Sequence, residues 1–301
     1  MMQERLAGAD KVRDLWHVVG ALEEMPRGKL RLTRLLGEDV AIGLTDAGEA
    51  LAWRPAAYLT DGTALRAIHI TNPLPVRRDY GYLWTSLGKP GPGLFAIPEY
   101  AEPDRRNMNA ATFRVHVSAP RAVENFLDMG HFPFVHTNYL GVESHPEVKD
   151  YRVDISTEND EIIATRCRFF QPMAAATAKG GMEVEYTYRV PHPYCAILYK
   201  SSPPAPGRQD VICIFLQPID EEHVAANMLM SMIDPESSDT AIKAFQQKIF
   251  AQDKPILENQ IPKRLPLDPR AEMPVRADKT SIAYRRWLAG HGYTYGTVPQ
   301  A

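Results

Sequence analysis

Two histidines, His131 and His136, stand five residues apart in the segment VENFLDMGHFPFVHTNYLG, residues 123–141, with Asn125, Asp128 and mostly apolar neighbours. Neutral imidazoles suit Zn, Fe, Cu or Ni. With one carboxylate and open positions they form the facial site of non-haem Fe(II) oxygenases. A His-x4-His pair alone is a weak motif, more often incidental than metal-binding. Asn125 and Asp128 strengthen it, because a metal-bound imidazole usually hands its second nitrogen to a carboxylate or amide. Spaced three apart, Asn125, Asp128 and His131 are expected to stack on one face of a helical turn, where polar groups need partners. On an unbroken helix, side chains five apart diverge. Gly130 and Pro133 therefore predict a break between His131 and His136 that lets the two rings converge.

Around this segment the chain reads as α+β, with no internal repeat. Residues 15–100 hold short apolar runs (LWHVV, KLRLTRLLG, DVAIGLTDAGEALAW, YGYLWTSLG) punctuated by Gly and Asp, the pattern of strands and turns. The Pro- and Gly-rich stretch GKPGPGLFAIPEYAEPDRR is the expected boundary between a small β domain, residues 1–105, and a second domain, residues 106–301. Ser118 as N-cap and Pro120 in the first turn predict a helix through RAVENFLDM. Strands then dominate from about 148 to 232, and a long helix begins near Asp239. Its apolar residues Ile242, Phe245, Ile249, Ile256 and Leu257 follow the helical period, with a kink expected at Pro255. The picture is a curved antiparallel sheet gripping a long C-terminal helix.

The run ENFLDMGHFPFVH resembles the mononuclear-iron motif of Rieske non-haem iron oxygenases, Asn-x2-Asp-x2-His-x4-His. It is most similar to the branch of vanillate and dicamba O-demethylases and caffeine-type methylxanthine N-demethylases. FAQDKPILENQ resembles the segment in which that branch carries its third ligand. LWHVVGALEEMPRGKLRLTRLLGEDV and DYGYLWTSLGKP resemble parts of its Rieske domain. The resemblance implies a helix-grip (START-like) catalytic domain in which His131, His136 and Asp253 bind mononuclear Fe(II). It also implies that Asp128 couples the iron to the incoming electron, with Asn125 close by. The chain departs from the pattern at the cluster. A Rieske [2Fe–2S] centre needs two cysteines and two histidines. Here no cysteine precedes Cys167, and between Val40 and Tyr80 the only histidine is His69. The first domain is thus expected to be a degenerate Rieske-like unit without a cluster, so that NAD(P)H-derived electrons come from a Rieske-containing reductase or a separate Rieske protein.

The reaction implied is hydroxylation of an N-methyl group of a methylxanthine such as 7-methylxanthine with O2, releasing formaldehyde. O-demethylation of a methoxylated aromatic is the alternative. A non-catalytic structural subunit of a hetero-oligomer is the alternative of another class, though a decayed enzyme should lose its iron ligands as well as its cluster ligands. Positions four and seven before Asp253 share its helix face, nominating Ile249 and Gln246 for the substrate pocket, with Phe250 at the border. The resemblance implies a homotrimer or a hetero-oligomer with a sister subunit.

Composition closes other routes. A net charge of −3 and no basic arm give no electrostatic case for nucleic acid or an anionic membrane. No run of about 18 uncharged apolar residues exists to span a bilayer, and the charged start MMQERLAGADKVRDLW does not read as a secretory signal. Three scattered cysteines, Cys167, Cys195 and Cys213, argue for reduced thiols, and the protein is expected in the cytoplasm. His145 and His192 flank Pro-containing turns and read as loop histidines, and SIAYRRWL near the C-terminus reads as a surface or subunit contact.

Overall fold

The computed structural model describes residues 11–173, 180–202 and 205–299; the first ten residues, part of the segment read above for a leader, lie outside these. The punctuated early runs form two three-stranded antiparallel sheets. One comprises β1 (His17–Ala21), β6 (Tyr82–Thr85) and β5 (Val76–Asp79), in that order; the other comprises β2 (Leu30–Leu35), β3 (Glu38–Leu44) and β4 (Ala50–Trp53). β7 (Arg106–Val115) opens a seven-stranded antiparallel sheet. The rest are β8 (Arg152–Ser156), β9 (Glu161–Gln171), β10 (Met182–His192), β11 (Cys195–Ser201), β12 (Gln209–Pro218) and β13 (Val224–Met232), in the order β7-β13-β12-β11-β10-β9-β8.

β10 alternates between buried and partly exposed positions, with Val184, Tyr186, Tyr188 and Val190 facing inward. The central strands β11 and β12 are buried nearly throughout. Alternate residues of a strand point to opposite faces, so burial of every residue means that both faces are covered. Leu198, Lys200, Ile212 and Ile214 face the interior of the grip, where they line a cavity. Cys195, Ile197, Tyr199, Val211, Cys213 and Phe215 point the other way and pack with Val18, Ala21, Tyr82 and Trp84 of the first small sheet. The Phe215 ring meets Trp84 at 5.1 Å and Tyr82 at 5.5 Å between centroids, both edge-on. The small sheet thus serves as the cover of the large sheet's back face. The three cysteines are buried and free.

Four helices complete the site's frame. α1 (Ala119–Leu127) and the single turn α2 (Phe132–Val135) precede β8; α3 (Asp239–Asn259) and α4 (Lys279–His291) follow β13. α3 starts at Ser238, whose hydroxyl accepts the Ala241 N–H. Its buried stripe is Ile242, Gln246, Ile249, Phe250, Asp253 and Leu257, at the helical period. Phe250 stacks on Phe113 of β7 at 4.3 Å, and Gln247 Nε2 donates to the Ala110 carbonyl at 2.7 Å. Helix α3 continues through Pro255 to Asn259, so the proline does not end it. Among the described residues no helix is long and apolar enough to cross a membrane.

Two expectations are corrected. His192 is not a loop residue but the buried last residue of β10, its Nδ1 accepting the Tyr194 N–H at 3.0 Å. SIAYRRWL is not a surface element as a whole: Tyr284, Arg285, Trp287 and Leu288 are buried. Arg285 Nε donates to Glu124 of α1 at 2.6 Å, and its guanidinium also reaches Glu272. Arg121 of α1 pairs with the same two carboxylates, fastening α1 to α4. Helical period places these residues on one side of α4 but is silent on which partner waits there.

The shared aromatic core yields a prediction. Truncating Phe215 to alanine should cost about 3–5 kcal/mol, the usual range for a buried aromatic, read as a lowered urea midpoint. The small β part should be lost in that same single transition. Separate unfolding of that part at wild-type denaturant concentration would contradict its role as cover.

Candidate metal centre

The helix carrying the first motif residues stops before the histidines. α1 is capped by the Ser118 side chain, which accepts the Arg121 N–H, and Pro120 lies in the first turn. It ends at Leu127, with Asp128 in an extended cap conformation. Asn125, Asp128 and His131 therefore do not share one helical turn, contrary to expectation. The break lies between Asp128 and His131, not between the histidines. His131 and His136 are the two caps of α2, joined by hydrogen bonds from Val135 N–H to His131 C=O at 2.8 Å and from His136 N–H to Phe132 C=O at 3.1 Å. Pro133 sits in the first turn of α2, where its missing amide hydrogen costs nothing. Spacing alone misplaced the break because proline starts a helix as readily as it stops one. The loop after His136 doubles back so closely that a Cβ on Gly141 would stand 2.7 Å from Pro133 N; only glycine fits.

Across this turn lies Asp253 of α3. His131 Nε2 and His136 Nε2 are 3.2 Å apart, and Asp253 Oδ1 lies 3.3 Å from the first and 3.1 Å from the second. Donors held roughly 2.1 Å from one ion lie about 3.0 Å apart at right angles and about 3.4 Å apart at tetrahedral angles. The near-equilateral triangle falls between the two. The outer nitrogens fix what the inner ones can do. His131 Nδ1 lies 2.9 Å from Asp128 Oδ2, and His136 Nδ1 lies 3.0 Å from Gln252 Oε1. Both Nδ1 atoms thus donate their proton outward, leaving each Nε2 with a lone pair aimed at the other and at the carboxylate. Asp253 Oδ1 is buried without a hydrogen bond. Three converging lone pairs in a buried site fit a divalent cation.

The electrostatics show the same demand for positive charge, which a proton on His131 Nε2 meets and a bound cation would displace. Burial works against charge on His131, yet Asp128 and Asp253 outweigh it and raise its pKa to about 9. Burial likewise opposes ionisation of Asp253, but His131 and His136 hold it down to about 2. Asp128 also stays below the usual carboxylate range: burial raises it, but its bonds to His131 and to the Gly130 N–H, the latter 2.7 Å long, prevail. The site prefers a carboxylate facing positive charge.

The triangle opens onto a largely apolar cavity bounded by Phe126, Phe132, Leu198, Ile212, Ile214 and Met228. Gln246, Ile249 and Phe250 line it, as does Asn125. Asn125 also borders a surface groove on the far side, shared with Asp128, Glu272, Met273 and Asp278. Sequence reasoning missed Gln252 and Lys200. Gln252 adjoins Asp253, about 100° around the helix, so no period pointed to it. Lys200 had a signal, a lysine two residues from Leu198 in an apolar strand.

The vanillate O-demethylase oxygenase C-terminal domain model matches residues 115–291. The chain is 45% identical over 287 residues to the probable methylxanthine N7-demethylase NdmC of Pseudomonas sp. (strain TJI-51), covering 95% of this chain and 97% of that protein. Its fold is similar to that of NdmA from Pseudomonas putida CBB5 with caffeine, at a TM-score of 0.74 and 21% identity over 97% of this chain and 96% of that one. Dicamba monooxygenase bound to dicamba superposes at 0.71 with 17% identity, over 93% and 97% of the two chains.

Metal content tests the geometry. His131→Ala should abolish stoichiometric iron. Gln252→Ala, which only frees the His136 ring, should weaken iron affinity by roughly 10–100-fold, measured by chelator competition. Unchanged affinity in Gln252→Ala would remove its orienting role.

Proposed function

For a chain that belongs to the vanillate O-demethylase oxygenase family, in the demethylase branch of the Rieske oxygenases, we propose N-demethylation of a methylxanthine-like substrate as its reaction. It is an oxygenase, and 7-methylxanthine is the first candidate substrate. The observation that carries this reading is the triangle of His131, His136 and Asp253 opening onto an apolar cavity with amides at its edge. The similarity to a probable N7-demethylase supports the choice of substrate. A purely structural subunit has no use for a complete donor set backed by Asp128 and Gln252.

His131, His136 and Asp253 would hold mononuclear Fe(II), which when bound supplies the reductive activation of O2. Asp128 and Gln252 keep both imidazoles in one tautomer and orientation. The apolar walls exclude water and enclose a planar ring, while Asn125 and Gln246 offer amide donors and acceptors to its carbonyls and nitrogens. In sum, the N–CH3 group, O2, two electrons and two protons give N–CH2OH and water. The C–N bond of that hemiaminal then breaks, leaving N–H and formaldehyde.

The two electrons need a source outside the site. With no cysteine before Cys167, and only His69 as a histidine between Val40 and Tyr80, this chain lacks the ligands of a Rieske cluster. We therefore assign delivery to a Rieske-containing reductase or separate Rieske protein. It would dock over the groove that reaches Asp128, whose carboxylate bonds directly to His131.

Formaldehyde should appear with 7-methylxanthine, O2, NAD(P)H and a Rieske-bearing reductase, in step with loss of the methyl group. Methoxybenzoates should release none. The reverse preference would reassign the chain to O-demethylation. Turnover driven by a simple flavin reductase without a cluster would overturn the assignment of the donor. Asp128→Asn should keep its iron while kcat falls by roughly 10–100-fold; undiminished turnover would free Asp128 of this role.

A further inference from the structure

Lys200 has no place in the account so far. It lies near the end of β11, only 6% exposed, and lines the cavity beside Leu198. Its neighbours in register are Tyr186 on β10 and Asp210 on β12. The ammonium nitrogen stands 5.9 Å from the centre of the Tyr186 ring, too far along for more than a weak cation–π contact. Asp210 is engaged elsewhere, accepting the Ile233 N–H at 2.8 Å. Among the described residues Lys200 makes no hydrogen bond and no ion pair within 4 Å.

A buried ammonium without a partner is costly, and proteins rarely keep one without a use. Burial brings its pKa down to about 8 against the attraction of Asp210, so it remains mostly charged near neutrality. Lys200 lines the cavity together with Leu198, Ile212 and Tyr186, the last with its ring 5.9 Å from the ammonium nitrogen. Asn125 and Gln246, which also line that cavity, likewise form no side-chain hydrogen bond among the described residues. Of these three polar side chains, only Lys200 brings charge.

We propose that Lys200 is a specificity-determining residue whose ammonium pairs with a ring-conjugated oxygen of the substrate that bears negative charge. On the N-demethylation reading, on which this inference rests for its ligand, that oxygen belongs to the ionisable imide of a purine dione. The carboxylate of a methoxylated aromatic acid offers the same chemistry. A fully N-methylated xanthine has the carbonyls but no acidic N–H, and so forgoes the charge.

Equilibrium binding to the iron-loaded protein, without any electron donor, separates these cases. The probes are 7-methylxanthine, 1,3,7-trimethylxanthine and 4-methoxybenzoate. Lys200→Met keeps the stem and removes the charge; Lys200→Gln keeps a neutral donor and guards against a packing artefact. Wild type should favour 7-methylxanthine over the trimethylated compound. Lys200→Met should lose roughly 10–100-fold in affinity for 7-methylxanthine, with Lys200→Gln in between. Both variants should retain full iron content and bind 1,3,7-trimethylxanthine as wild type does. If wild type instead selects 4-methoxybenzoate and Lys200→Met loses that preference, the anion anchor stands and the purine reading falls. Equal affinity of wild type and Lys200→Met for the preferred probe overturns the proposal.

Discussion

Two imidazole nitrogens and a carboxylate oxygen aimed at one another across about 3.2 Å repel unless something positive sits among them. Much of the architecture near the site serves to hold that arrangement. Asp128 and Gln252 hold the Nδ1 protons outward, so the inward nitrogens are the ones that can offer lone pairs to a cation. Gly141 admits the chain close enough to α2 for His136 to cap it. Arg121, Glu124 and Arg285, all buried, together with the half-buried Glu272 pin α1 and α4 together behind Asp128. Each contact is modest alone. Together they keep three like-minded donors within a fraction of an ångström of an ion's requirement, a precision that packed helices provide better than loops.

The seven-stranded sheet solves a second problem. One face of its central strands lines the cavity beside the triangle, and the other would expose Ile197, Val211, Cys213 and Phe215 to water. Tyr82 and Trp84 of the small β part cover that back face. Covering that face is work the small β part does through its packing alone. This shared packing ties the two parts of the chain together through one aromatic core.

Much of the site was legible in the chain. His131, His136 and Asp253 stand out because donor type is a property of single residues, and the structure brings the three together. Ser118, Pro120 and Ser238 mark helix starts by local chemistry, and the apolar stripe on α3 shows its buried face. The helix-facing residues Gln246, Ile249 and Phe250 lie where their shared face with Asp253 puts them, along the cavity wall. Local rules misplaced the break between α1 and α2, since Pro133 satisfies both a stop and a start.

By itself, then, the sequence determined which donor side chains exist and which segments are helix or strand. These depend on residue type and on short-range period. Only the tertiary structure decided that Gln252 orients His136, that Arg285 is an internal tie, and that Lys200 lines the cavity with no hydrogen bond or ion pair among the described residues. Such roles depend on strand register and on which helix meets which face, and those are set by packing between segments far apart in the chain.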